Sequence, residues 1–456
     1  MTRMHSFDRR SKRLSWKVLA YALNRIRMDP PLDHPVDASV LRTRAGRTVT
    51  DDGIGGPEAL RIWREVLAPA CISVDHPRFF SYVPAAPTEA AGLFDVAVSA
   101  ANVYAGSWQE GAGAVFAENE ALAWIASLAG LPEGAGGTFV SGGTAGNLSA
   151  LIAARWAWRD RAGGRLDRTR ALIACSGAAH SSVAQAARAM DADVVPVPVD
   201  ERGRMDGDGV RRVVEGLDAA ERERICAVVA TAGSTNAGVI DDLSGIGRTA
   251  AGIGAWFHVD GAYGGAALCA PSRRHLFTGV ELADSFIVDP HKWLFAPFDS
   301  CALLYREPRI ARAAHTQRAE YLDAIHVREE WNPADYAHHL SRRPRGLPLW
   351  FSLATHGTRA YTEAVETTLR TTEQAARMVT CAGHLRLVME PELSVLLLER
   401  IGWAADDYQR WSDDALASGL AFAVPTSWNG VPCLRLCIVN PETTPSDVAM
   451  VLETLR

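Results

Sequence analysis

Long hydrophobic runs are missing from this chain of 456 residues. No stretch approaches the roughly 20 apolar residues that a membrane span requires, and no leader of the secretory kind stands at the front. Cysteine is scarce: Cys71, Cys175, Cys226, Cys269, Cys301, Cys381, Cys433 and Cys437 are scattered, with no CxxC pair among them. Set mostly among apolar neighbours, they predict reduced core thiols rather than a disulfide framework or a metal site. Neither charge sign dominates; a net charge of −6 lacks the basic excess that a general nucleic-acid binder needs. Internal repeats and low-complexity tracts are also absent. Together these absences predict a cytoplasmic protein with no metal and with neither nucleic acid nor membrane as a partner.

Core material, by contrast, is plentiful. The chain is 48% hydrophobic and 22% charged, enough to fold as two or three domains. Arg9, Arg10, Lys12, Arg13 and Lys17 interleave with Leu14, Trp16, Val18, Leu19 and Leu23 in the pattern of an amphipathic helix. Such a helix suits a docking arm in an oligomer, a frayed terminus or contact with a membrane surface. From about residue 115 to 310, short apolar runs alternate with helical patterns, the signature of a mostly parallel sheet flanked by helices. Strands are expected at 171–175, 193–199, 225–232, 255–259, 285–288 and 300–304. A glycine-rich turn at 137–143 leads into an Ala- and Leu-rich helix at 147–158. The tail carries strands at 394–398 and 433–439 and helices at 405–417 and 444–454, a smaller α+β unit. The predicted organisation is a helical segment 1–75, a large domain 76–310, a loop with connecting helices 311–380, and a small domain 381–456.

Two segments carry chemistry. Asp289-Pro290-His291-Lys292-Trp293 follows one strand, and His258-Val259-Asp260-Gly261-Ala262-Tyr263 closes another upstream. Lys292 is followed by apolar Trp293-Leu294-Phe295, surroundings expected to depress its pKa as Schiff-base chemistry prefers. Asp260 ends so apolar a strand that it requires a partner, either a cation in a site or the N-terminus of a following helix. An amine for a Schiff base and a carboxylate for a pyridine nitrogen are the two groups that pyridoxal phosphate needs. Its protonated ring accepts electrons from a bond breaking at a substrate's α-carbon. Upstream, Ser141-Gly142-Gly143-Thr144 opens a helix whose first N–H groups suit a phosphate. His180, among Ala178, Ala179, Ser181 and Ser182, is either an imidazole stacked on a cofactor ring or a packed, capping residue.

In these segments the chain resembles the group II pyridoxal-phosphate-dependent decarboxylases, which act on aromatic amino acids, histidine, glutamate or diaminobutyrate. The similarity runs from about residue 76 to the C-terminus, and includes His76-Pro77-Arg78-Phe79-Phe80 and Gly233-Ser234-Thr235-Asn236. It implies an α/β protein of PLP fold type I, aspartate aminotransferase-like, with a mostly parallel seven-stranded sheet in the large domain and a small α+β C-terminal domain. It also implies a homodimer with active sites at the interface and a dimer-swapped N-terminal segment. Carried over by motif, Lys292 corresponds to the internal-aldimine lysine and Asp260 to the pyridine-nitrogen partner. Ala262 lies against the ring and His180 stacks on it. Gly143, Thr144 and His291 fall at the phosphate, with Asp289 beside them, while Thr235 is a further cofactor-site residue and Asp241 a supporting acid.

Residues 320–345 correspond to a mobile loop that closes over substrate. Tyr336 is the resemblance's candidate for reprotonating the carbanion left by CO2 loss, with His338 or His339 as alternatives. Tyr82, Val83, Trp108 and His338 are the candidate substrate-pocket residues. Val83 stands where a second large ring is usual, which favours a smaller or non-aromatic side chain. The implied reaction converts an L-amino acid to an amine and CO2 through a quinonoid that Asp260 stabilises. Two other courses stand beside it. One is an oxidative decarboxylation that gives an aldehyde. The other is the Cα–H chemistry of aminotransferases or β-eliminating lyases, for which Arg435 is either a carboxylate clamp or simply a structural arginine.

Overall fold

The computed structural model describes residues 4–5, 7–317 and 330–456. At its centre are apolar runs too short for helices. Ile225–Thr231 is buried at every position, as a strand covered on both faces requires. It is the fourth of seven strands: β1 Gly136–Val140, β2 Leu172–Ser176, β3 Asp193–Val197, β4 Ile225–Thr231, β5 Trp256–Asp260, β6 Ser285–Val288 and β7 Cys301–Tyr305. They form one sheet in the order β1-β7-β6-β5-β4-β2-β3. The strands from β3 across to β6 run parallel, and β7 is antiparallel to both β1 and β6. This is the α/β architecture expected from the sequence.

Side chains alternate across the sheet with period two. Val228 and Ala230 of β4 enter one core while Ala227 and Val229 enter the other. On β5, Phe257 and Val259 take the first core and Trp256 the second. His258 and Asp260 therefore point the same way as Trp256, toward the face covered by the Gly143–Arg161 helix. That helix contributes mainly small residues to this core, among them Ala150, Ala153, Ala154 and Ala157.

A second sheet, antiparallel in the order β10-β11-β9-β8, is built from β8 Leu385–Leu387, β9 Val395–Arg400, β10 Pro425–Trp428 and β11 Val431–Cys437. It shares a separate core with the Thr358–Cys381 and Ala405–Ala417 helices. Two of its strands, β8 and β10, are too short to leave a pattern in the sequence. The sequence also hides β1, which begins Gly136-Gly137 and reads as a turn. The glycine is a condition of pairing: a Cβ on Gly137 would stand 1.8 Å from the Leu303 carbonyl oxygen of β7.

All eight cysteines are free and six are buried, but Cys71 and Cys381 are exposed rather than in the core. Among the described residues no helix is long and apolar enough to cross a membrane. The Arg9–Arg27 helix buries none of its residues, and Trp16 is 67% exposed. Near its end Arg25 meets Asp75 at 2.8 Å and Ser73 at 3.1 Å.

Among the described residues one ion pair is fully enclosed. Arg342 and Glu118 make two parallel contacts of 2.7 Å with side-chain exposures of 0% and 2%. Glu118 also accepts the Gly346 N–H, and Arg342 donates to the Ala105 carbonyl. Arg342→Met leaves Glu118 buried with a single neutral donor, and the expected loss is about 3–5 kcal/mol, read as a lower urea midpoint. Adding Glu118→Leu should recover part of that loss, because it removes the uncompensated charge.

Candidate active site

Three parallel strands end together. β4 stops at Thr231 and β5 at Asp260, which lies level with Thr231 on one side and Ile287 of β6 on the other. Open α/β sheets gather ligands at these carboxyl ends. A cavity of about 280 Å3 lies here, lined by Asp260, Asp289, Lys292 and the turn at residues 141–144.

The Gly143–Arg161 helix starts at this cavity with Gly142 as its N-cap, which has no side chain to cap it, and the Gly143 N–H donates to Asp289 Oδ2 at 3.3 Å. The other first-turn N–H groups and the positive end of the helix dipole suit an anion. A Cβ on Gly143 would lie 3.1 Å from the Ala262 Cβ and 3.2 Å from Asp289 Oδ2, so a side chain there would close the approach. Thr144 and His291 line the same cavity. His291 Nδ1 is held at 2.6 Å from the Ser300 carbonyl oxygen, and burial pushes its pKa down.

Lys292 lies in the short Pro290–Trp293 helix with its Nζ 2.9 Å from Asp289 Oδ2. Burial opposes the ammonium, yet Asp289, with help from Asp260, more than offsets it and the pKa is raised. This corrects the expected depression: the apolar neighbours in sequence are outweighed by a carboxylate three residues back. Burial opposes the Asp289 carboxylate too, but Lys292 and His291 hold its pKa below the ordinary value. Both shifts favour the charged pair. The depressed carboxylate stabilises above its ordinary pKa of 3.8 and loses this as pH falls further. The raised amine stabilises below its ordinary 10.5 and loses this as pH climbs through its folded value.

Asp260 is 5% exposed. Its Oδ2 accepts from Asn147 Nδ2 at 2.8 Å and its Oδ1 from the Ala262 N–H at 3.1 Å. The 3-10 turn that follows, Gly264–Cys269, receives no side-chain cap, so Asp260 is not an N-cap. Both donors are neutral, which leaves room for a cation such as a protonated ring nitrogen. His180 is a capping residue that also faces the cavity. Its Nδ1 caps the Ser181–Ala189 helix by accepting the Ser182 N–H at 3.2 Å, and the residue also lines the cavity.

Thr235 lines the cavity as well, and its carbonyl accepts from Arg435 Nε at 2.9 Å. Arg435 Nη1 reaches the Tyr82 carbonyl at 2.6 Å, so Arg435 is a strut between two loops. All nine residues expected to bind the cofactor thus line one cavity. The expected substrate residues are not brought to it within one chain. Tyr82 is 65% exposed with φ +52°, Val83 packs on the large core, and Trp108 heads the Trp108–Leu128 helix. His338 Nδ1 sits 2.9 Å from Ser149 Oγ.

Tyr336 is also apart. Its ring stacks on Trp331 at 4.2 Å, its carbonyl accepts from Tyr305 Oη, and burial pushes its hydroxyl pKa up to about 12. Residues 320–329 of the expected loop lie outside the described residues. Sequence reading missed Asn147, Thr231 and Tyr263 in the cavity wall. Asn147 had a signal: it stands four residues after Gly143 and so on the same helix face.

The Asp289–Lys292 pair yields a directional test on the cofactor-free chain. Asp289→Asn removes the main support of the ammonium, so Lys292 should react faster with an amine-modifying reagent at neutral pH. The rate-against-pH curve, followed by peptide mass spectrometry at Lys292, should move to lower pH. An unmoved curve would deny that Asp289 controls the amine.

Comparison with known proteins places this geometry. The profile of the pyridoxal-dependent decarboxylase conserved domain matches residues 58–398. The chain is 32% identical over 417 residues to the L-2,4-diaminobutyrate decarboxylase of Rhizobium meliloti (strain 1021), spanning 88% of this chain and 82% of that protein. It is 27% identical over 438 residues to the aromatic-L-amino-acid decarboxylase of Bacillus atrophaeus, spanning 93% and 90%. The crystal structure of Oryza sativa TDC with PLP and tryptamine shares its fold with a TM-score of 0.90 at 22% identity, covering 100% of this chain and 98% of that one. On the extent of the profile match and the identity over most of its length, the chain belongs to the pyridoxal-dependent decarboxylases, carboxy-lyases that work with pyridoxal phosphate.

Proposed function

We propose that this chain converts an L-α-amino acid to an amine and CO2, with Lys292 holding pyridoxal phosphate at the strand ends. A lysine amine, a buried carboxylate and a helix N-terminus line one cavity, and this convergence carries the proposal. Each fits a different part of the cofactor. Lys292 suits its aldehyde, Asp260 its ring nitrogen, and Gly143, Thr144 and His291 its phosphate. Ala262 and His180 flank the ring, while Thr235 and Asp289 complete the wall. When bound, the cofactor supplies a protonated ring that takes up the electron pair of the breaking Cα–carboxylate bond.

The chain's own residues divide the remaining work. Asp289 Oδ2, 2.9 Å from Lys292 Nζ, orients the amine and keeps it charged until it must shed a proton for its lone pair to attack a carbonyl. Asp260, its oxygens fixed by Asn147 and the Ala262 N–H, holds a proton at the ring nitrogen. Burial of Asp260 and Asp289 keeps bulk water from both carboxylates, which strengthens their pull on nearby cations. Val83, in place of a second large ring, supports a small or non-aromatic substrate side chain. The proposal includes a cytoplasmic homodimer with active sites at its interface. Trp16, Leu19 and Leu23, exposed on a helix none of whose residues is fully buried in its own chain, support the second copy.

Incubated with a panel of L-amino acids, the protein loaded with pyridoxal phosphate should release CO2 and the matching amine without taking up O2. CO2 with O2 uptake and an aldehyde would establish the oxidative course instead. Ammonia or a keto acid without CO2 would defeat the decarboxylase proposal. Lys292→Ala should lose both turnover and the near-visible absorbance of bound cofactor; a normal spectrum would remove Lys292 from its assigned place.

A further inference from the structure

Behind Asp260 runs a line of hydrogen-bonded side chains of which the chemistry above uses only Asn147 and His180. Trp256 Nε1 lies 2.8 Å from Ser285 Oγ, Ser285 Oγ 2.8 Å from His258 Nδ1, and His258 Nε2 2.8 Å from Asn147 Oδ1. Asn147 Nδ2 then reaches both Asp260 Oδ2 and Ser182 Oγ at 2.8 Å. Ser182 Oγ in turn lies 2.8 Å from His180 Nδ1. His258 is 0% exposed, and Asn147, Ser182 and Ser285 are each 1% exposed.

The two ends of this line each have only one part to play. The Trp256 indole nitrogen donates and never accepts, whereas an ionised Asp260 carboxylate accepts and never donates. From the carboxylate end, Asn147 must turn its amide nitrogen to Asp260, which leaves its oxygen facing His258. That oxygen requires a hydrogen on His258 Nε2 and so leaves a lone pair on Nδ1. From the indole end, Ser285 Oγ accepts from Trp256 and gives its single proton to that same Nδ1. The indole end agrees with this tautomer without deciding it, since a hydroxyl with two lone pairs accepts from Trp256 whichever His258 nitrogen carries the hydrogen; the carboxylate end decides. Burial pushes the His258 pKa down to about 4, so the ring carries just this one proton near neutrality. On the other branch, Ser182 Oγ accepts from Asn147 and donates to His180 Nδ1, which the Ser182 N–H also approaches at 3.2 Å. A neutral His180 then keeps its proton on Nε2, at the far end of the ring.

We infer that Trp256, Ser285, His258 and Asn147 form a one-way hydrogen-bond relay that positions Asp260 and His180 together. Asn147 is its branch point: one amide group fixes the carboxylate as acceptor and, through Ser182, holds the His180 ring in its Nε2–H form. These four are positioning residues, since they act through Asp260 and His180. The inference rests on the proposed function only for what those two residues do to the cofactor; the direction of the relay is independent of it. An aspartate at 147 would set a second negative charge 2.8 Å from Asp260 and would lack the two donors.

The test begins with the wild-type, cofactor-free chain labelled with 15N at histidine. Signals of His258 and His180 are identified by their loss in His258→Gln and His180→Gln. His258 should appear at neutral pH as the neutral Nε2–H tautomer. An Nδ1–H form, with the ring donating to the Ser285 backbone, would overturn the relay. This readout needs neither cofactor nor turnover, so a chain that bound no pyridoxal phosphate would defeat the proposed function and leave the relay standing. The second arm measures pyridoxal phosphate affinity in Asn147→Leu by fluorescence titration, with circular dichroism confirming the fold. Binding should weaken on the order of ten- to a hundredfold, the usual cost of losing a hydrogen bond to a charged group. Affinity within twofold of wild type in a folded variant would overturn the positioning role. Should the variant not fold, the wild-type tautomer still decides.

Discussion

A carboxylate at the end of an apolar strand is the constraint on which this architecture turns. Asp260 is buried at the carboxyl end of β5, and an unsatisfied charge there would cost several kcal/mol. Its donors come from two places, the backbone of Ala262 and the side chain of Asn147. The second depends on how closely the Gly143–Arg161 helix rides on the sheet. A Cβ on Gly146 would fall 2.9 Å from Ile287 Cγ2, so the helix can lie this near only because that residue is glycine. Close packing by small residues and the satisfaction of Asp260 are therefore one requirement. The same placement aims the start of the helix at the cavity.

Electrostatics inside the cavity follow from where its second carboxylate lies. Asp289 and Asp260 both face Lys292, and Asp289 is the nearer, in direct contact through Oδ2. A lysine walled only by Trp293, Leu294 and Phe295 would release its proton readily. With Asp289 beside it the amine instead stays charged and the carboxylate stays ionised. The proton rests on the amine, 2.9 Å from the carboxylate that stabilises it. Division of labour between the carboxylates comes from contacts rather than residue type: Asp289 touches the amine, whereas Asp260 is held by neutral donors.

Much of this was legible because the decisive groups sit in short, local motifs. Strand patterns at 225–232 and 285–288 were readable from continuous apolar runs, and Lys292 and Asp260 stand directly beyond such runs. What the sequence hid depended on neighbours distant along the chain. β1 begins with glycines that only its pairing with β7 explains. Asn147 reads as an ordinary polar residue near a helix start until the fold sets it against Asp260, 113 residues away. His258, two residues before Asp260, carried a fainter signal, since period two puts both on one face. The direction of the Lys292 shift was misread for a different reason. The apolar residues after it were weighed, and the carboxylate three residues before it was not.

Arg435 bears on the rival chemistry. Cleavage of Cα–H in place of Cα–carboxylate calls for a clamp on the substrate carboxylate, and a bidentate clamp needs one guanidinium edge with two uncommitted nitrogens. Arg435 gives Nε to the Thr235 carbonyl and Nη1 to the Tyr82 carbonyl. Its side edge is thus closed by Thr235, and its end retains only Nη2 uncommitted to those carbonyls. To serve as a clamp it would have to release the Thr235 segment, which lines the cavity, or Tyr82, whose left-handed backbone (φ +52°) is costly for an aromatic residue. Either release would disturb the site it was meant to serve. The strut therefore explains Arg435 better than the clamp, and the Cα–H course loses the feature of the sequence that spoke for it.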